Sequence, residues 1–175
     1  MIAAMIGNGP SKIFFQRQKN IIKFDIVAGF NFARDSYLNL ILVSDPNVIR
    51  NTKDNDPRVK SIEKLKKKVH NGKMFVSKNT SQVGYEVLTR KGVKEFHIFG
   101  HDLMWTEDYT SETDKILPKQ GFVNKAKINN LRSYWLQYWA EIIQTPTYIH
   151  MPENADLSFS NELVYPIHYK EQELL

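Results

Sequence analysis

Small polar residues follow several apolar runs of this 175-residue sequence, each at the point where a strand would end. Asparagine, serine and threonine side chains donate and accept directed hydrogen bonds, which is how proteins hold nucleotides. Glycines let backbone N–H groups approach a phosphate, and a helix start adds partial positive charge. The set that predicts a nucleotide site is Gly7, Asn8, Gly9, Pro10, Ser11, Asn31, Ser44, Asp45, Asn79, Thr80, Ser81, Gly100, His101 and Asp102.

Two of these residues are candidates for a general base. His101 and Asp102 directly follow the apolar run "KEFHIFG", so both would lie at the carboxyl end of a strand. Either side chain can accept the proton of an attacking hydroxyl. The alternative is structural, with Asp102 capping the next segment and His101 on the surface. His97 alternates with Phe96 and Ile98 inside the run, which indicates a structural histidine.

A D-x-D triplet offers a rival chemistry. Asp54, Asn55 and Asp56 carry the oxygen ligands that suit Mg²⁺ or Mn²⁺ beside a nucleotide diphosphate. Asp56 precedes Pro57, however, and is explained by an N-cap role in a helix. We therefore predict no metal ligands among the site residues and no obligatory metal, and we leave a divalent ion open as an aid.

The elements that must position these residues alternate between strand and helix. Apolar runs predict strands at Met1 to Ile6, "FDIVAGFN", "YLNLILVS", "KMFVS", "KEFHIFG" and "TYIHMP". Helices are predicted for "KIFFQRQ", for "PRVKSIEKLKKKVHN" with a stripe of Val59, Ile62, Leu65 and Val69, for "TSQVGYEVLTRK" capped by Thr80 or Ser81, and for "NKAKINNLRSYWLQYWAEIIQ". Residues 103 to 123 or so predict a polar flap, and the tail from Asp156 gives no clear pattern.

This order predicts an α/β fold: a single Rossmann-like domain over residues 1–175, with a mainly parallel sheet flanked by helices. In such a sheet, ligands bind beyond the carboxyl ends of the strands. The polar strand ends would therefore share one crevice.

Composition narrows the class of protein. The absence of cysteine excludes disulfides, thiolate zinc sites and cysteine nucleophiles, and favours a cytoplasmic location. No run approaches the roughly 20 apolar residues of a membrane span, so we expect no integral membrane segment. The net charge is +5, and "RVKSIEKLKKKVHNGK" holds seven of the 24 basic residues. That stretch is either a solvated helix face or a phosphate-binding patch.

Four motifs together resemble the bacterial sialyltransferases of the Campylobacter type and their phage and bacterial relatives. They are "IGNGPS", "FDIVAGFN", "VSDP" and "TSQVGYEVLTRKGVKEFHIFGHD", and they cover residues 1 to about 102; "YIHMPENADL" resembles the last strand of that family. The resemblance implies a glycosyltransferase with a CMP- or UDP-linked sugar donor and a glycan acceptor. It assigns the donor phosphate to Asn8, Gly9 and Ser11, and the donor nucleotide to Asn31, Thr80 and Ser81, with Asn79 as a one-residue alternative.

Two departures from that family matter. Asp45 stands where the family has asparagine, which places an anion near the donor phosphate and puts a CMP donor in doubt. The family's lid histidine has no counterpart in "GFVNKAKINN", and Tyr109 is the only lid tyrosine that could stabilise the leaving phosphate. The base must then come from His101 or Asp102, or the chemistry differs.

Three functions stay open at this stage. The first is a glycosyltransferase acting on a glycan, or on modified phage DNA in view of the basic stretch. The second is a Mg²⁺-dependent pyrophosphokinase of the pterin type, with Asp45 and Asp102 as metal ligands. The third is a non-catalytic nucleotide or nucleic-acid binder. The oligomeric state is not readable from the sequence.

Overall fold

A seven-stranded parallel sheet, flanked by helices, organises the part of the chain that the structure describes. The structure is a computed structural model, and it describes residues 1–44, 48, 55–65, 68–71, 74–107 and 125–170. The strands are β1 (Ile2–Ile6), β2 (Ile26–Phe30), β3 (Leu40–Val43), β4 (Val59–Ser61), β5 (Lys68–Asn71), β6 (Met74–Ser77), β7 (Glu95–Phe99), β8 (Thr147–Pro152) and β9 (Val164–Tyr169). The α-helices are α1 (Phe15–Gln18), α2 (Thr80–Arg90) and α3 (Lys125–Ile142), and short 3-10 helices span Pro10–Phe14, Glu63–Leu65 and Asp102–Met104.

The strand order in the main sheet is β4-β3-β2-β1-β7-β8-β9, and every pairing is parallel. Strands β2, β3 and β4 therefore follow one another on one side of β1, and β7, β8 and β9 follow one another on its other side. This is a Rossmann-like α/β arrangement, which confirms the predicted fold class. No described helix is both long and apolar enough to cross a bilayer.

Two apolar layers cover the two faces of the sheet, because successive side chains of a strand point to opposite sides. Ala3 and Met5 of β1 face the layer that contains Leu88 of α2 and Trp139 of α3. Ala4 and Ile6 face the layer formed with Phe14, Phe15 and the strand residues Ile41 and Phe99. Helices thus pack on both sides and hold the carboxyl ends of the strands in fixed positions.

The predicted helix over residues 57–72 is wrong. Val59–Ser61 instead forms edge strand β4, which pairs with β3, and Lys68–Asn71 forms β5. A helix would place Ile62 and Leu65 on one buried face, whereas Ile62 is buried and Leu65 is 46% exposed. Asp56 does not cap a helix, since its carboxylate accepts the guanidinium of Arg58 at 2.6 Å.

The predicted strand "KMFVS" forms as β6, but outside the main sheet. It pairs antiparallel with β5, and Asn71 lies opposite Met74, so only two residues connect the strands. So short a connection favours a hairpin over a parallel crossover. The tail contributes one strand that the sequence did not predict, the edge strand β9.

Candidate functional site

The carboxyl ends of β1 and β7 mark the point where the strand order reverses, which is where open α/β sheets bind ligands. Gly7 N–H donates to Phe99 O at 2.7 Å, and Gly9 N–H donates to Gly100 O at 2.9 Å. A Cβ on Gly7 would collide with the Gly100 carbonyl, and one on Gly9 would lie 2.5 Å from Asp102 Oδ1. The glycines are therefore needed for close strand-end packing. Their N–H groups are already donated, so the predicted phosphate contact from them has no support here.

Ser11 and Asp102 join the first loop to the end of β7. Ser11 Oγ donates to Asp102 Oδ1 at 2.5 Å and accepts Gly100 N–H at 3.1 Å. Both side chains are buried. Burial raises the pKa of Asp102, while hydrogen bonds from the side chain and backbone of Ser11 act in the opposite direction. The Asp102 carboxylate thus accepts hydrogen bonds from Ser11 and holds the first loop in place.

A chain of side-chain hydrogen bonds connects the ends of β2 and β3 with the start of α2. Ser44 Oγ lies 2.6 Å from Thr80 Oγ1, and Thr80 Oγ1 donates to Asn31 Oδ1 at 3.4 Å. For Thr80 to donate to Asn31, Ser44 must be the donor in the first pair. Within the described residues, the Asn31 amide NH₂ then keeps both of its N–H groups for a ligand.

Asn8 brings the end of β1 to the same place. Its Nδ2 donates to Phe30 O, the residue before Asn31, at 3.4 Å. The Asn8 side-chain oxygen and backbone N–H form no hydrogen bond within the described part of the chain. Asn8, Asn31 and Thr80 therefore lie together, as the strand-end prediction requires.

The first turn of α2 adds backbone donors to this crevice. The N-cap is Asn79, not the predicted Thr80 or Ser81, because Asn79 and Gln82 form a reciprocal capping box. Asn79 Oδ1 accepts Gln82 N–H at 2.9 Å and the Ser81 hydroxyl at 2.8 Å. The N–H groups of Thr80 and Ser81 have no acceptor among the described residues. They lie at the positive end of the helix dipole, which favours an anion.

His101 lies on the other side of the switch point, between two aromatic rings. Its ring centroid is 5.9 Å from that of Phe30 and 6.0 Å from that of Trp139. Nδ1 is 3.1 Å from Phe99 O, so it is the protonated nitrogen, and no donor in the described part of the chain engages the Nε2 lone pair. Burial lowers the pKa of His101 to about 4, against the hydrogen bond to Phe99, so the ring is neutral at pH 7.

His97 belongs to a separate buried chain on the opposite face of the sheet. Its Nε2 lies 2.9 Å from Glu95 Oε1, and its Nδ1 lies 2.9 Å from His150 Nε2. His150 Nδ1 lies 2.7 Å from the Tyr169 hydroxyl. Both ring nitrogens of His97 thus have partners within the protein, which agrees with the structural role predicted for it.

Several predicted residues lie outside the described residues: Asp45, Asp54, Tyr109 and the flap beyond residue 107. Among the described residues, no group of three or more histidine, aspartate or glutamate side chains could hold a metal ion. Asp56 of the D-x-D triplet is engaged by Arg58, and the Arg58 hydrogen bonds lower its pKa to about 2.

Sequence reasoning missed the surroundings of Asn31 and His101. Phe30 and Trp139 lie within the predicted strand and helix but were not singled out, and neither was Arg34. Arg34 Nη1 donates to Asn31 O and Ala33 O, both at 2.7 Å. An arginine three residues after a strand-end asparagine carries no signal of this contact, because it depends on the shape of the turn between them.

Comparisons of the chain with protein-family models, with curated proteins and with solved structures give no match. The resemblance to bacterial sialyltransferases that the motifs suggest therefore stays a hypothesis.

Proposed function

We propose that this chain is a glycosyltransferase that binds a CMP- or UDP-linked sugar at the carboxyl ends of β1, β2 and β3 and transfers the sugar to a hydroxyl. The observation that carries the proposal is the linked set Asn8, Asn31, Ser44 and Thr80, which four separate elements bring together beside the switch point. The motif resemblance to sialyltransferases points to the same chemistry. The acceptor is a glycan, with modified DNA as the alternative, and the cysteine-free composition favours a cytoplasmic setting.

The donor phosphate fits the side of the crevice where hydrogen-bond donors gather. The Asn31 amide and the N–H groups of Thr80 and Ser81 are neutral donors, and α2 directs its positive end to them. Asn8 Oδ1 is an acceptor suited to a ribose hydroxyl or a base amino group. Held in this way, the nucleotide needs no obligatory metal, and a divalent ion remains an optional aid.

The reaction moves one proton and one glycosyl group. The bond between the sugar C1 and the phosphate oxygen breaks, and the nucleotide phosphate leaves with the electron pair. The acceptor hydroxyl forms the new bond to C1 and gives its proton to the base. His101 Nε2 is the better base, because none of the described residues donates to it and the ring stays neutral above about pH 4. Asp102, which Ser11 already engages, is the second candidate.

Nucleotide binding is the first test. We expect CMP or UDP, or their sugars, to raise the unfolding midpoint selectively over ATP and GDP-sugars, since a ligand stabilises by RT ln(1 + [L]/Kd). Thr80→Val, which keeps the shape and removes the hydroxyl, should weaken binding about tenfold. Thr89→Val, near the carboxyl end of α2, serves as the matched control. No shift with any nucleotide contradicts the proposal.

Turnover separates the proposed reaction from its two rivals. Release of free nucleotide from the preferred sugar donor, lost in His101→Gln and retained in Asp102→Asn, supports a transferase with His101 as base. The reverse pattern assigns the base to Asp102. Binding without turnover indicates a non-catalytic relative, and EDTA-sensitive AMP formation from ATP indicates a pyrophosphokinase.

A further inference from the structure

The backbone of Asn31 is unusual for a residue with a side chain. Its φ is +54°, and within the described residues it is the only non-glycine with a positive φ. The left-handed region crowds a Cβ against the backbone, and asparagine adopts it more readily than most residues but still at a cost relative to glycine. The contacts around Asn31 should therefore explain why this conformation persists.

Four hydrogen bonds fix the turn that contains Asn31, two from the backbone and two from the Arg34 side chain. The Asn31 N–H donates to Leu42 O at 3.0 Å, and Ala33 N–H closes the turn by donating to Phe30 O at 3.1 Å. On the other side, Arg34 Nη1 donates to Asn31 O and Ala33 O, both at 2.7 Å. A single charged nitrogen on two carbonyls holds the peptide that follows Asn31, and charge-assisted hydrogen bonds of this kind are the stronger ones.

The rest of the loop has its own anchor. Arg58 Nη1 donates to Asp35 O at 2.9 Å and to Leu38 O at 3.1 Å, and Asp56 binds the same guanidinium. Arg58 therefore secures the second half of the connection between β2 and β3. Arg34 meets the first half of the connection: two hydrogen bonds join its guanidinium to the turn at Asn31, and its charge also acts on the Asp56 carboxylate.

We propose that Arg34 is a positioning residue: it holds Asn31 in the left-handed conformation that directs the amide toward Thr80 and the donor phosphate. The role toward the donor phosphate rests on the proposed function, whereas the hydrogen bonds of Arg34 to the turn are observed independently of it. Without Arg34 the turn can relax to an ordinary backbone conformation, and the Asn31 amide then leaves the crevice.

A double-mutant cycle tests the assignment. Titration with CMP and with UDP is expected to show an affinity loss of about tenfold in Arg34→Met, with a small change in unfolding midpoint. Asn31→Gly tolerates the positive φ but lacks the amide, so Arg34→Met should cost less than twofold further in that background. Arg90→Met, an exposed arginine of α2, is the control. Unchanged affinity in Arg34→Met, or losses that multiply in the double variant, overturn the assignment.

A conservative variant adds a second readout. Both contacts come from one nitrogen, and a lysine ammonium can also donate to two carbonyls. Arg34→Lys should therefore recover affinity to within about threefold of the unmodified chain. A folded Arg34→Lys that binds as poorly as Arg34→Met counts against the assignment.

The same cycle can be measured by urea unfolding without nucleotide. If neither CMP nor UDP binds the unmodified chain, the proposed function fails, while the unfolding cycle still decides the role of Arg34. The loss in unfolding midpoint caused by Arg34→Met should fall by at least half in the Asn31→Gly background, because glycine needs no restraint there. Equal losses in both backgrounds overturn the inference.

Discussion

The hydroxyl of Ser11 lies 2.5 Å from Asp102 Oδ1 and also accepts the backbone N–H of Gly100, so one buried side chain joins the loop after β1 to the end of β7. These segments lie 91 residues apart in the sequence. Since the two strands flank the switch point, this contact holds their carboxyl ends together beside the candidate site.

Removal of the Ser11 hydroxyl should therefore destabilise the protein. Ser11→Ala leaves a buried carboxylate short of one donor, which costs about 1–3 kcal/mol of the free energy of unfolding. Urea denaturation measures the change, and Ser36→Ala, at an exposed serine, is the matched control. A loss below about 0.5 kcal/mol for Ser11→Ala would show that the contact does not hold the loop.

Gly9 should not tolerate even a methyl group. A Cβ there would lie 2.5 Å from Asp102 Oδ1 and 2.8 Å from Gly100 O, so β1 and β7 would have to separate. We expect Gly9→Ala to lower the free energy of unfolding by about 1–3 kcal/mol, as overpacking commonly does. The readout is the midpoint of thermal unfolding. Gly92→Ala makes an informative comparison, because the Cβ meets only Met1 at 3.8 Å and the cost there is backbone strain.

The fold was largely predictable because hydrophobic periodicity is a local property. Five of the main-sheet strands and helices α2 and α3 follow runs with the expected spacing. The helix over 57–72 failed because a helical stripe does not reveal that β3 has a free edge for Val59–Ser61. Strand β9 was missed because Pro166 interrupts it, which only an edge strand tolerates.

The site was predictable in outline only. Parallel strands bring their carboxyl ends to one edge, so the proximity of Asn8, Asn31 and Thr80 followed from the strand assignments. The Ser11–Asp102 contact and the engaged N–H groups of Gly7 and Gly9 depend on distances between elements, and no local pattern carries that information. The roles of individual groups therefore required the structure.

Acid should destabilise the protein through three histidines whose pKa values burial lowers: His97, His150 and, as described above, His101. Burial lowers the pKa of His97 in spite of the hydrogen bond to Glu95, and burial with the nearby His97 lowers the pKa of His150 to about 3. The unfolded chain takes up protons near pH 6.5 while the folded chain does not. Stability is therefore complete above about pH 6.5 and falls as pH drops toward the folded pKa values, by about 1.4 kcal/mol per pH unit for each histidine. Burial raises the pKa of Asp102, so this one carboxyl group makes the folded protein more stable as the pH falls and partly offsets the histidines.

Urea denaturation between pH 7 and pH 4 checks this slope. His150→Gln should reduce it by about 1.4 kcal/mol per pH unit. Tyr169→Phe removes the hydroxyl that bonds to His150 but leaves both rings, so it should lower stability at every pH and keep the slope. A slope that His150→Gln leaves unchanged would exclude this histidine as its source.

Asn161 should stabilise the end of α3. Its Nδ2 donates to Ala140 O at 2.9 Å and to Ile143 O at 3.0 Å, and its Oδ1 accepts Leu163 N–H. Carbonyls at a helix end need such partners. Asn161→Ala should cost about 1–3 kcal/mol of unfolding free energy. Asn154→Ala, at an exposed position of the same β8–β9 connection, should change it by less than about 0.5 kcal/mol.

The central claim is that a nucleotide binds at the polar ends of the strands. A crystal structure of the protein soaked with CMP or UDP tests it most directly, because it shows where the nucleotide binds. We predict a nucleotide at the carboxyl ends of β1, β2 and β3, with a phosphate oxygen within hydrogen-bond distance of the Asn31 amide and the first turn of α2. A nucleotide bound on another surface, or an empty crevice at saturating nucleotide, would contradict it.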